Sequence, residues 1–230
     1  MKEFIQHSLF FGVFISLISY AIGLFLKKKL KLAIFNPLLI AITLTILFLL
    51  CFKIDYADYS ASAKYLSYLL TPATVSLAIP LYEQFELLKR NWKALLLGML
   101  SGVMASMLGV LGFALLFRLD HASYVTMLPK SITTAIGMDV SGEMGGYVSI
   151  TVAIIIITGI IGNIFAEAFC KLVRIQDPVA VGIAIGSSSH AMGTARALEI
   201  GEVEGAMSSL SIVVSGLLTV LGAMLFQHFL

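Results

Sequence analysis

Charge is what this sequence has least of. Only 12% of its 230 residues are Asp, Glu, Lys or Arg, against roughly a quarter in an ordinary globular domain. Hydrophobic residues make up 59%, and mean hydropathy is +1.00. That shortage excludes a soluble fold. With a formal net charge of +2 and basic residues confined to short loops, it also excludes nucleic acid as a partner. Cysteine is scarce: Cys51 and Cys170 each end an apolar run, so buried free thiols are expected rather than a disulfide. CxxC and other metal-ligand spacings are missing, so no metal or other cofactor is expected. GxSxG is missing too, which leaves an intramembrane enzyme with only the neighbours Ser189 and His190 to stand on; the chain is read as a non-enzyme. Apolar positions do not alternate as in barrel strands.

What is present is a series of long apolar runs from end to end, with no room for a separate soluble domain. The expectation is one integral membrane domain over residues 1–230, all-α and polytopic, bedded in a lipid bilayer. The first run, Ser8 to Leu26, is followed by Lys27, Lys28, Lys29 and Lys31. A secretory signal has the opposite order, so a retained helix is predicted, with its C-terminal end cytoplasmic and the N-terminus outside. Asn36-Pro37 opens a second run to Phe52, with Asn36 as cap and proline in the first turn. Lys53 to Lys64 reads as a polar loop. Tyr65 to Tyr82 is apolar but carries Thr71-Pro72-Ala73-Thr74, and a kink is predicted at Pro72. The basic cluster Lys89, Arg90 and Lys93 follows. In Leu95 to Phe117, Gly98 and Gly102 have the spacing that lets helices approach closely, and such faces suit a homodimer. Tyr147 to Phe169 is smooth, and Gly205 to Phe229 is the last run. About six full spans result.

Two stretches break the apolar pattern. Met127 to Gly146 holds Pro129, Lys130, Ser131, Thr133, Thr134, Asp139 and Glu143; Gly182 to Glu199 holds three serines, His190, Gly193, Thr194 and Arg196. A bilayer leaves freed backbone groups unsatisfied, so each break must be buried in protein or line a wet cavity. Ionisable groups at that depth point to a functional site. Ser131 to Gly137 can be laid on Ser187 to Gly193, and Pro72, Thr74 and Ser76 give a weaker third echo. Discontinuous or re-entrant helices in inverted repeats, meeting at the midplane, fit this pattern. The positive-inside rule gives inverted halves only if Met127 to Gly146 dips in and returns without crossing.

Four motifs in order carry a family resemblance: Asn36-Pro37-Leu38-Leu39; Pro72-Ala73-Thr74-Val75-Ser76-Leu77-Ala78 with Pro80-Leu81-Tyr82; Leu128-Pro129-Lys130-Ser131-Ile132-Thr133-Thr134; and His190-Ala191-Met192-Gly193-Thr194-Ala195. Over nearly its whole length the chain resembles the LrgB/CidB family. The resemblance implies a multi-pass protein of the bacterial cytoplasmic membrane. It also implies two functions that differ. One is an antiholin-like regulator of murein hydrolase activity and cell lysis, acting with a small LrgA/CidA-type partner. The other is a carrier of small carboxylates, since the family is similar to the membrane portion of the plastidial glycolate/glycerate transporter and some relatives are tied to pyruvate. Where members commonly have proline after the paired threonines, this chain has Ala135.

The main expectation is a secondary transporter of small monocarboxylates such as pyruvate, lactate, glycolate or glycerate, with proton coupling left open. Such a substrate needs positive potential and hydrogen-bond donors in a small space. Helix N-termini supply both, and Lys130 and Arg196 are the cations at hand. The expected binding residues are Lys130, Ser131, Thr133, Thr134, Ser189, His190, Gly193, Thr194 and Arg196, with Asn36, Pro72, Thr74, Ser76 and Asp139 in secondary places. Asp139 is expected to pair with Lys130. Each hydroxyl has a blander alternative in bonding its own helix. His190 can serve as packing, as a substrate contact or as a proton carrier, and Arg196 can snorkel to the interface.

Overall fold

The computed structural model describes Ser8, residues 10–30 and residues 35–230, the side chain of Thr74 excepted; Leu9 and Lys31 of the reading above lie outside the described residues. Every regular element described is helical, as expected. Contacts gather into two compact units, Met1–Ser76 and Leu77–Leu230.

In the first unit α1 (Phe11–Leu30) packs along α2 (Pro37–Phe52). Asn36 caps α2 as predicted: its Oδ1 accepts from the N–H groups of Leu38 at 2.8 Å and Leu39 at 3.2 Å, with Pro37 at the first position, where a missing N–H costs nothing. The stretch expected as a loop contains α3 (Tyr56–Ala63). It docks on α1 through Ser62, whose Oγ accepts from Gly12 N at 2.7 Å, and through Tyr59, 2.8 Å from Ser16. A groove of about 420 Å³ lies between these helices, and its lining is almost wholly apolar.

The predicted kink at Pro72 takes another form. Residues 64–69 make a 3-10 turn, and α4 (Leu70–Ser76) follows. The break comes before the proline. Pro72 is the third residue of α4, within the first turn, where no intrahelical N–H bond is due. Ser76 Oγ donates to the Pro72 carbonyl at 2.8 Å.

The second unit opens with α5 (Ala78–Glu83), where Pro80 again takes the third position. Next comes α6 (Phe85–Phe117), 33 residues long. It begins ten residues earlier than the apolar run suggests, because no glycine or proline interrupts Glu86 to Lys93, and a Glu86–Lys89 pair spans one turn at 3.7 Å. Then follow α7 (His121–Met127), α8 (Thr134–Glu143), α9 (Val148–Leu172), α10 (Pro178–Ile200) and α11 (Glu202–Phe226). Asp177 caps α10 through Ala180 N at 3.0 Å, with Pro178 in the first position.

Four described helices are long and apolar enough to cross a membrane, α1, α6, α9 and α11, while α2 is apolar but shorter. The remaining length expected to span is in broken segments. Methionine and aliphatic side chains fill the α6–α11 contact, with Leu95, Met99, Ala206 and Met207 in one cluster. Farther along, Tyr124 is fully buried and donates to the Phe226 carbonyl at 2.9 Å. Cys51 and Cys170 are free thiols, Cys170 buried as expected and Cys51 exposed on α2.

Candidate functional site at the tips of two helical hairpins

The segment α7–α8 doubles back on itself. Thr126 and Ser141 lie fifteen residues apart in the chain, yet Thr151 of α9 bonds both, its Oγ1 being 3.0 Å from the Thr126 carbonyl and 2.7 Å from Ser141 Oγ. Tyr147 N donates to Thr126 Oγ1 at 2.7 Å. One turn deeper along α9, a Cβ on Gly137 would stand 2.4 Å from Ile155 Cδ1 and 3.5 Å from the Pro129 carbonyl. The two arms thus enter beside the first turns of α9, run along it and return. Residues 128–133 form the tip. Both ends of the segment therefore lie beside the same end of α9.

The stretch α10 is also a hairpin. Residues eight apart in a straight helix are about 12 Å from each other, yet a Cβ on Gly193 would be 3.0 Å from Ile185 Cγ2 and 2.6 Å from Ser189 Cβ. Ala197 shares a buried cluster with Val181, Ile185 and Cys170. The reversal sits at His190, whose φ of 43° and ψ of −143° are not helical. Each half, Pro178 to Ser189 and Ala191 to Ile200, is about 15–18 Å long at 1.5 Å per residue, roughly half of a ~30 Å hydrocarbon layer. The open end of this hairpin lies against the last turns of α9 around Cys170.

The helix α9 therefore receives one hairpin from each end, and the tips converge on its middle. Ile155, which is fully buried, touches Gly137 from one side, and its carbonyl accepts from His190 Nε2 at 3.1 Å on the other. Gly159 and Gly162 make room for His190 and Ser189: a Cβ would stand 2.7 Å from the imidazole at the first and under 2 Å from Ser189 Oγ at the second. Asn163 Nδ2 donates to the Met192 carbonyl at 2.6 Å. The helix α6 brackets the tips from another face, with Gly102 against Ser187 and, one turn on, Ser106 accepting from Lys130 Nζ at 2.9 Å. On α11, Ser208 shares a 2.7 Å bond with Thr194, and Gly216 stands opposite Ile136.

Eight of the nine expected binding residues sit at the tips or beside them. Lys130 donates to Ser106 and, at 3.1 Å, to Ser131, which is itself buried. Thr133 heads α8 without a side-chain cap bond, so it leaves the first-turn N–H groups, beginning with Thr134, uncovered and pointing toward the tip. Ser189 and His190 are buried at the second reversal; Gly193 closes it; Thr194 ties it to α11 and to the His190 carbonyl at 3.0 Å. No described hydrogen bond joins Ser189 to His190: the serine bonds Ser188 at 3.0 Å and the imidazole bonds Ile155.

Other expectations need correction. Arg196 lies beyond the tip on the returning arm, ion-paired with Glu167 of α9 and, at 2.5 Å, with Glu199. Its charge is engaged away from Lys130. Asp139 does not pair with Lys130 among the described residues. It is on the exposed face of α8, opposite buried Gly137, Val140 and Ser141, whereas Lys130 turns from the tip to α6. Asn36, Pro72 and Ser76 belong to the first unit, where Asn36 is a cap and Ser76 bonds its own helix. Sequence reasoning missed Ser106, Asn163 and Glu167, polar residues set within the apolar runs of α6 and α9. It also missed the face Ser208, Ser211, Ser215 and Thr219, whose helical spacing was readable.

An ammonium at a hairpin tip, uncovered N–H groups and clustered hydroxyls can hold a small anion bearing several oxygens. No group of three His, Cys, Asp or Glu is gathered among the described residues. No solved structure matches this chain. Residues 16–229 match the LrgB-like family model. The chain is 38% identical over 213 residues to the antiholin-like protein LrgB of Bacillus subtilis (strain 168), covering 92% of each chain. It is 37% identical over 222 residues to proteins of the same name from Bacillus cereus (strain B4264) and Bacillus anthracis (strain CDC 684 / NRRL 3495), covering 96% of each. This multi-pass membrane chain of broken and continuous helices belongs to the LrgB-like family.

Proposed function

We propose that this protein is an antiholin-like membrane protein, as its relatives are named, and that its molecular activity is to carry small monocarboxylates. Family membership supports the first half. The convergence of two half-depth hairpins on the middle of α9, with Lys130 at one tip and His190 at the other, supports the second. A regulator that only binds a partner has no need of a half-buried ammonium and a buried imidazole at such depth, where each is costly. A carrier does: Lys130 and the N-terminus of α8 draw the carboxylate, and Ser131, Thr133 and Ser106 supply hydrogen bonds. Motion of the hairpins against α6 and α9 opens the site to either side.

In this reading the lysines at the end of α1 are cytoplasmic and the N-terminus is outside. An LrgA-type membrane protein is the natural partner for the lysis-related role. Purified protein in liposomes is expected to take up radiolabelled pyruvate, lactate or glycolate. Absence of uptake for every two- and three-carbon acid, with and without a pH gradient, removes the carrier and leaves the partner-binding regulator.

A further inference from the structure

The helix α11 buries a line of hydroxyls, Ser208, Ser211, Ser215 and Thr219, all at most 4% exposed. A stripe of small residues is ordinary packing material. One of its members is not ordinary. A serine buried in a helix can satisfy itself on a carbonyl one turn back, as Ser187 does with Ile183 at 2.7 Å, Ser209 with Gly205 at 2.8 Å and Ser211 with Met207 at 2.8 Å. Ser208 uses Thr194 instead. Ser215, 2% exposed, has an Oγ with no partner, the only such buried side-chain atom among the described residues. A hydroxyl that declines the carbonyl of its own helix is directed elsewhere.

Helix register places it. A Cβ on Gly182 would meet Glu204 and Met207, and one on Gly186 would meet Ser208 and Ser211. The two helices advance together, so the next turn sets His190 level with residues 212–215. From the other side, a Cβ on Gly216 would be 3.7 Å from Ile136 in the first turn of α8. Ser215 therefore stands where α11 passes from the tip of the second hairpin to the uncovered N-terminus of the first.

We infer that Ser215 is a substrate-contacting hydroxyl that reads an oxygen on the carbon next to the carboxylate. The inference rests on the carrier reading. With the carboxylate drawn by Lys130 and the α8 N-terminus, the rest of a short acid extends into the seam that Ser215 lines. A hydroxyl both donates and accepts, so it meets a keto oxygen or a hydroxyl equally. An acid with a plain methylene there leaves Ser215 buried and unpaired. Sites built to bond a substrate oxygen reject the analogue lacking it for this reason.

Lactate, pyruvate and propionate have the same carbon count and differ at that one position. With the full chain in liposomes, the half-saturating concentration of wild type is expected to be about tenfold lower for lactate and pyruvate than for propionate, a gap of about 1.4 kcal/mol. Ser215→Ala should bring the three within about twofold, by weakening lactate and pyruvate rather than by improving propionate. Ser215→Thr keeps the oxygen and should restore most of the gap. If Ser215→Ala moves all three acids alike, or none, the hydroxyl serves packing or a structural water, and the assignment is overturned with the carrier reading intact. A wild-type protein that responds to none of the three overturns both.

Discussion

His190 holds the carbonyl oxygen of Ile155 with its Nε2, 3.1 Å away, while its own backbone sits at φ 43° and ψ −143°. The side chain anchors the reversal to α9, and the main chain occupies a region that glycine alone enters freely. Such strain costs on the order of 1–3 kcal/mol.

Replacing this histidine separates anchor from strain. His190→Gly frees the backbone, and His190→Ala keeps the strain and loses the bond. The glycine variant is expected to melt above the alanine variant by about 1 kcal/mol of stability, with carboxylate uptake lost in both. Thermal unfolding in detergent checks the order, and the reverse order contradicts the strain.

Glycine at α9 is a matter of room. A methyl at Gly162 would run into Ser189, whereas nothing stands within 4 Å of the same position at Gly109. Gly162→Ala should lose about 1–3 kcal/mol through overpacking. Gly109→Ala should be neutral or gain up to about 1 kcal/mol of helix propensity. Comparing folded yield and melting of the two variants decides it.

Lys130→Ala removes the ammonium at the tip but leaves Ser106 and Ser131 bonded to each other at 3.2 Å. The protein should fold, and uptake should drop at least about tenfold, the loss of one charged hydrogen bond. Uptake unchanged in this variant places the carboxylate elsewhere.

Arg196→Ala is expected to spare transport. Its pairs with Glu167 and Glu199 are partly exposed, with side chains 28–49% accessible, so stability should fall by no more than about 1 kcal/mol. Half-saturation should stay within about twofold of wild type, and likewise for Asp139→Asn. A large rise in half-saturation for either would return that residue to the site.

The bond between Thr194 and Ser208 lends itself to a double-mutant cycle. Thr194→Val leaves the Ser208 hydroxyl buried without its 2.7 Å partner and should cost about 1–3 kcal/mol. Ser208→Ala added to it should recover part of that loss. Strict additivity would mean that the two hydroxyls are not coupled.

Local chemistry was legible in the sequence. Asn36-Pro37 and Asp177-Pro178 announce capped helix starts, and the polar runs around Lys130 and His190 announce breaks at depth. That each break is a hairpin was open for Met127 to Gly146 and unread for Gly182 to Glu199. Apolar periodicity marks which face is buried but not which way a chain turns after one residue leaves the helical region. Partners across helices were less legible still. The Lys130–Asp139 pairing failed because charge alone does not say that one residue turns to α6 and the other to an exposed face. Arg196 was misplaced because its partner Glu167 is a single acid near the end of a smooth apolar run.

Biogenesis of such a protein has an order imposed on it by chain direction. The second hairpin leaves the ribosome after α9 and before α11, yet its contacts lie on both. Gly182 and Gly186 close on the backbone of Glu204 and Ser208, and Thr194 finds its hydroxyl partner on Ser208. Until those residues arrive, two half-length helices and a non-helical turn face hydrocarbon with no partners for their freed polar groups. The contacts that bury the hairpin are therefore complete only once α11 has been made.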